Sequence, residues 1–133
     1  MESCFATAEE SARRTIMVVD DFDDTRLMMK LWLEKKGYRV VEAENGDDAV
    51  RIAASERPNL IIMDLEMPVA DGLSATRRIR RLDLLSDVPV IAVSAYGADE
   101  YRDRALQAGC NEYVSTPFEP AALEELMKNL LLA

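Results

Sequence analysis

The sequence has no histidine at all, and this removes imidazole acid–base catalysis, histidine metal ligation and any role as a phosphohistidine donor. Cysteine is almost as scarce. Cys4 and Cys110 lie far apart, neither belongs to a metal-type cluster, and reduced thiols are the plain reading. No apolar run approaches the ~18–20 residues of a membrane span, and the N-terminus, with Glu2, Glu9 and Glu10, lacks the apolar stretch of a signal peptide. A cytoplasmic location is therefore expected. Positive charge is also in deficit: the net charge of −9 disfavours nucleic acid and anionic membrane surfaces, which require basic patches. An acidic surplus suits a bound cation, a basic partner face or simply a soluble surface. Internal repeats and low-complexity blocks are absent as well, and 133 residues make one domain.

What is present is a series of short apolar runs. Leu60-Ile61-Ile62-Met63 ends at Asp64, with Pro68 four positions later. Such a run reads as a strand buried on both faces, and it places Asp64 at the carboxyl end, where open α/β sheets bind their ligands. Ile16-Met17-Val18-Val19 has the same shape and ends at Asp20-Asp21. If these strands are parallel neighbours, three carboxylates meet at one sheet edge.

In order along the chain, residues 1–13 read as a flexible tail and 14–133 as the domain. Strands are expected over Thr15–Asp20, Tyr38–Ala43, Leu60–Met63, Val88–Ser94 and Tyr113–Ser115. Helices are expected from Asp23 or Asp24 to Gly37, over Asp47–Ser55, from Asp71-Gly72 to about Leu82, over Asp99–Ala108 and over Pro120–Leu132. Glu44-Asn45-Gly46 reads as a turn, and the mixed polarity of Tyr38–Ala43 as an edge strand. Five strands alternating with five helices imply an α/β fold, a parallel sheet covered on both faces with right-handed crossovers. The first helix carries more apolar residues than one sheet-facing stripe needs. Either Leu27 and Leu31 or Leu33 are left over, as scattered exposed leucines or as a partner or dimer surface.

From about Thr15 to Leu132 the chain resembles the receiver domain of two-component response regulators. The resemblance is carried by Val18-Val19-Asp20-Asp21, Met63-Asp64-Leu65-Glu66-Met67-Pro68, Asp71-Gly72, Val93-Ser94-Ala95, Ala108-Gly109-Cys110 and Pro117-Phe118, in family order and spacing. It implies a flavodoxin-like, doubly wound sheet of order 2-1-3-4-5. It also implies Mg²⁺ held by Asp21 and Asp64, by Asp20 through water and by the backbone carbonyl of Glu66, a chemistry that suits all-oxygen ligands. Asp64 would be the phosphoacceptor, Ser94 the hydroxyl donor to a phosphoryl oxygen and Tyr113 the switch aromatic. Plainer roles exist for each: Asp20 and Asp21 as helix caps, Asp64 as a turn former, Ser94 as a loop hydroxyl, Tyr113 as half-buried packing. Glu66 and Tyr96 flank the site at positions that vary in the family.

The sequence departs from the family pattern at Thr116, where receivers carry lysine. Lys30, Lys35, Lys36 and Lys128 all fall on helices or helix ends and offer no substitute. The departure implies slower phosphorylation, greater dependence on Mg²⁺ or looser coupling of phosphorylation to shape. Three readings follow: a phospho-accepting signalling receiver, not an enzyme beyond its own phosphorylation and dephosphorylation; a pseudo-receiver that binds proteins without phosphate; and a Mg²⁺-dependent phosphohydrolase, for which the chain lacks substrate-binding walls. Under the first, the donor is a histidine kinase or a histidine phosphotransfer protein docking near helix one, and the target meets the helix-four, strand-five, helix-five face, which includes Tyr101, Arg102, Arg104 and Leu123 to Leu130. The N-terminal Met and the end just after helix five suggest a stand-alone domain.

Overall fold

Each apolar run forms a strand, and each stretch between runs folds back as a helix. The computed structural model describes residues 13–67, 72–95 and 99–132. In chain order the elements are β1 (Thr15–Val19), α1 (Asp23–Lys35), β2 (Arg39–Ala43), α2 (Gly46–Glu56), β3 (Leu60–Asp64), α3 (Gly72–Arg80), a 3₁₀ turn (Asp83–Leu85), β4 (Val90–Ser94), α4 (Asp99–Ala108), β5 (Glu112–Ser115) and α5 (Pro120–Leu132). All neighbouring strands are parallel, in the order β2-β1-β3-β4-β5. This is the flavodoxin-like doubly wound sheet. Residues 1–12, which include Cys4 and most of the expected tail, lie outside the described residues, as do Pro68, Asp71 and Tyr96.

Strand pleating divides the core in two. Met17, Val19, Ile61, Met63, Val90 and Ala92 point to the side covered by Ala49 and Ala53 of α2, Ala75 and Ile79 of α3 and Ala105 of α4. Ile16, Val18, Leu60, Ile62 and Ile91 point to the other side, against Leu33 of α1 and Leu123 and Met127 of α5. A strand that must be apolar on both faces cannot alternate, which is why β1, β3 and β4 read as unbroken runs.

Leu33 is fully buried, while Leu27, Met28 and Leu31 are 50, 70 and 55% exposed. The surplus apolar residues of α1 are therefore Leu27 and Leu31, joined by Met28. The helix closes with a Schellman pattern: Tyr38 N donates to Leu33 O at 3.2 Å and Gly37 N to Glu34 O at 3.0 Å, with Gly37 at φ +98°. Leu123 and Met127 are also fully buried, so the expectation that Leu123 to Leu130 form an outward face is corrected: these two are core. They recur four residues apart on the sheet-facing side of α5.

Several boundaries differ from the sequence reading. Asn45-Gly46 is not a free turn. Asn45 caps α2, its Oδ1 accepting from Asp48 N at 2.8 Å, and Gly46 is already helical. β4 starts at Val90 rather than Val88, because Pro89 has no amide for the ladder. α3 ends at Arg80 rather than Leu82, where Arg81 N→Arg78 O and Leu82 N→Ile79 O bonds tighten the chain into the 3₁₀ turn. β1 stops at Val19 and β3 runs through Asp64, one residue short of and beyond the expected ends; β2 and β5 begin one residue away from theirs. Cys110 is a free, buried thiol with Sγ 3.8 Å from Thr76 Oγ1. No helix among the described residues is long and apolar enough to cross a membrane.

Asn45→Ala should lower stability by about 1 kcal/mol in urea unfolding. An unchanged midpoint would show that the cap contributes nothing.

Candidate functional site

The register of the three central strands builds the site. Val19 pairs with Met63, so the next residues, Asp20 and Asp64, emerge side by side at the carboxyl edge. Asp21 follows on the same loop. One carboxylate oxygen from each of Asp20, Asp21 and Asp64 lies within 4.8 Å of the others. Loop amides orient two of them: Phe22 N donates to Asp20 Oδ1 at 2.9 Å, and Glu66 N donates to Asp64 Oδ1 at 2.9 Å. α1 begins at Asp23 without a side-chain cap, so neither Asp20 nor Asp21 is spent as a helix cap.

Three acids this close repel one another. Burial pushes the Asp64 carboxyl up to about 7; the bond from the Glu66 amide opposes this, and the charges of Asp20 and Glu66 and the hydrogen bond to Asp20 add to it. Asp20 is also raised, chiefly by burial, against the pull of the Phe22 amide and of its bond with Asp64. Without a cation, Asp64 therefore keeps its proton to an unusually high pH. An all-oxygen triad with this surplus of charge fits a hard divalent cation such as Mg²⁺.

The acids line a cavity of about 550 Å³. Its other walls are Val18, Ile62 and Val93 of the sheet, Met29 of α1, Phe118, and the hydroxyl-bearing Thr25 and Thr116. No lysine or arginine is among these lining residues. Glu66 and Ala95 also line the cavity, and Ala95 N donates to Glu66 Oε2 across it.

The site thus gathers Asp20, Asp21, Asp64, Glu66 and Thr116. Ser94 is adjacent but fully buried between the lining residues Val93 and Ala95, on the opposite sheet face. Tyr113 pairs with Ala92 on that same face, half-buried against the core there. Thr116 continues the β4–β5 ladder, its amide donating to Ser94 O at 2.8 Å, and its bond to Pro117 is cis.

Gly72 opens α3. A Cβ there would lie 2.7 Å from Asp64 O and 2.8 Å from side-chain atoms of Met63 and Leu65, so only glycine lets the helix abut the acid-bearing strand.

Sequence reasoning missed Arg26 and the Glu66 side chain. Arg26 Nη1 donates to the Asp20 carbonyl at 2.8 Å while its other nitrogens meet Glu42 at 3.2 Å and Asp23 at 2.6 Å, tying the β1–α1 loop to β2. The signal was an arginine one turn into the helix that follows the acidic pair.

The family model described as "Response regulator receiver domain" matches residues 16–128. The chain belongs to the response regulator receiver domain family. Among curated proteins, this receiver domain is 32% identical over 118 residues to the polar-differentiation response regulator DivK of Brucella anthropi, covering 89% of this chain and 96% of that one. It is 34% identical to the phosphate regulon transcriptional regulatory protein PhoB of Pseudomonas aeruginosa, covering 89% of this chain but only 52% of that one, so it spans about half of that relative's length. Among solved structures it resembles the receiver domain of a sensor histidine kinase from Pseudomonas aeruginosa, with TM-score 0.84, 36% identity and coverage of 91% and 99% of the two chains. That structure has a magnesium ion coordinated in its active-site cleft. Chemotaxis protein CheY4 of Vibrio cholerae, at 24% identity, 89% and 98% coverage and TM-score 0.84, shares the fold. Receiver domains are signalling modules rather than classical enzymes, and they interact with histidine kinases and downstream effectors.

Proposed function

We propose that this receiver domain accepts a phosphoryl group on Asp64. The carrying observation is the convergence of Asp20, Asp21 and Asp64 within 4.8 Å on the wall of a cavity, with one Asp64 oxygen already oriented by the Glu66 amide. Asp21 and Asp64 would hold Mg²⁺ directly, with Asp20 through water and the Glu66 carbonyl as the fourth protein contact. When bound, such an ion offsets charge on phosphoryl oxygens. A carboxylate oxygen of Asp64 attacks phosphorus, the P–N bond of a donor phosphohistidine breaks, and the departing imidazole takes up a proton. The donor is a histidine kinase or a histidine phosphotransfer protein docking beside α1, where Leu27, Met28 and Leu31 are exposed.

The output is a changed protein contact at the α4–β5–α5 face. Ser94 and Tyr113, on the same side of the sheet, are the proposed relay, and Arg102 and Arg104 are exposed on α4. Arg104 lies 5.6 Å from the Tyr101 ring. The second reading, a pseudo-receiver that binds proteins independently of phosphate, draws on Thr116 as a neutral residue on the wall and on the absence of lysine and arginine among the described lining residues.

Incubation with a small acyl phosphate and Mg²⁺, followed by intact mass, tests the proposal. Wild type should gain one phosphoryl group and Asp64→Asn none. No gain in wild type would favour the pseudo-receiver.

A further inference from the structure

The side chain of Glu66 has a contact that Mg²⁺ binding does not need. Leu65 N donates to Val93 O at 2.9 Å, the last rung between β3 and β4. Two residues beyond Val93, the amide of Ala95 does not continue the ladder but donates to the Glu66 carboxylate. Both residues line the cavity, so the bond closes one loop onto the other across it. The other side-chain donors on the wall are the hydroxyls of Thr25 and Thr116, with no lysine or arginine among the lining residues. The Ala95 amide is therefore one of few donors open to an anionic group arriving on Asp64, and it is occupied by an anion of the protein itself.

Resting on Asp64 as acceptor, we infer that the Glu66 side chain is an anionic latch: it holds the place of a phosphoryl oxygen on Ala95 N and must swing away before the site can take that group. Glu66 acts through the amide and is a positioning residue. It makes the resting site favour cations and disfavour anions, and slows phosphoryl entry by the strength of one charge-assisted hydrogen bond. Reach matters as well as charge. An aspartate at 66 keeps the charge but is one methylene shorter and cannot span to Ala95.

The test is beryllium trifluoride binding with saturating Mg²⁺, followed by the amide resonances in ¹H–¹⁵N spectra, in wild type, Glu66→Ala, Glu66→Gln and Glu66→Asp. In wild type the Ala95 amide proton should resonate downfield and move when the anion binds. Glu66→Ala should bind the anion about tenfold more tightly, Glu66→Asp should follow Glu66→Ala, and Glu66→Gln should fall between them and wild type. If Glu66→Asp behaves like wild type while Glu66→Ala and Glu66→Gln gain affinity, charge alone is responsible and the latch is wrong. Equal affinity in all four, or an Ala95 resonance indifferent to every substitution, also overturns it. If wild type gains phosphate yet the variants match it in anion affinity, the latch falls and the acceptor assignment stands. If no variant binds the anion and none gains phosphate, both fall.

Discussion

Thr116→Lys should accelerate phosphorylation of Asp64 by a small donor about tenfold or more. Thr116 is half-buried on the wall of a cavity of about 550 Å³ that also contains Asp64, and no lysine or arginine is among the lining residues. The volume leaves space for a longer side chain, and the acids supply its counter-charge. A charge-assisted hydrogen bond is worth ~1.5–3 kcal/mol, and 1.4 kcal/mol is a factor of ten in rate. The same ammonium should reduce the Mg²⁺ requirement, because part of the charge on the transferring group would then be met by the protein. The measurement is the rate of mass gain against Mg²⁺ concentration. An unchanged rate and unchanged partner binding would mean that the threonine costs the site nothing.

The second large effect is on stability. The Asp64 carboxyl is raised by burial from 3.8 to about 7. A group whose folded value lies above its unfolded one stabilises the fold fully below the unfolded value, and that stabilisation is lost as pH rises through the folded value. Cation-free protein should therefore lose stability steadily between pH about 4 and about 7. Allowing for the partial exposure of the site, the loss is on the order of 2 kcal/mol. Asp64→Asn should remove most of this slope and be the more stable protein at pH 8. Mg²⁺ should stabilise wild type increasingly above pH 6, since it competes with protons for the carboxylates and binds their ionised form. Urea unfolding with chelator, at several pH values, checks the sign. A wild-type curve that is flat, or that rises across this window, would show that the acids are solvated independently.

The first effect rests on a cavity with no lysine or arginine among its described lining residues, the second chiefly on the burial of Asp64. The Glu66 latch adds a further anion at the same cavity.

The sequence by itself determined the sheet and the acids. Unbroken runs such as Leu60–Met63 require burial on both faces, this requires helices on both sides, and the carboxylates ending two such runs require a cation or a proton. It also showed that α1 is too apolar for one stripe, but not which leucines are spare. That choice needed the helix phase, which turns Leu33 onto the sheet and leaves Leu27 and Leu31 outside. Element ends moved by one or two residues, because Pro89 and the 3₁₀ bonds after α3 act through local hydrogen bonds rather than periodicity. The burial of Leu123 and Met127 was likewise a matter of rotation about a helix axis. Only the tertiary structure decided where the Glu66 side chain goes. Its partner is an amide 29 residues away, just past the end of β4, and a contact set by strand register and loop approach leaves no trace in local spacing.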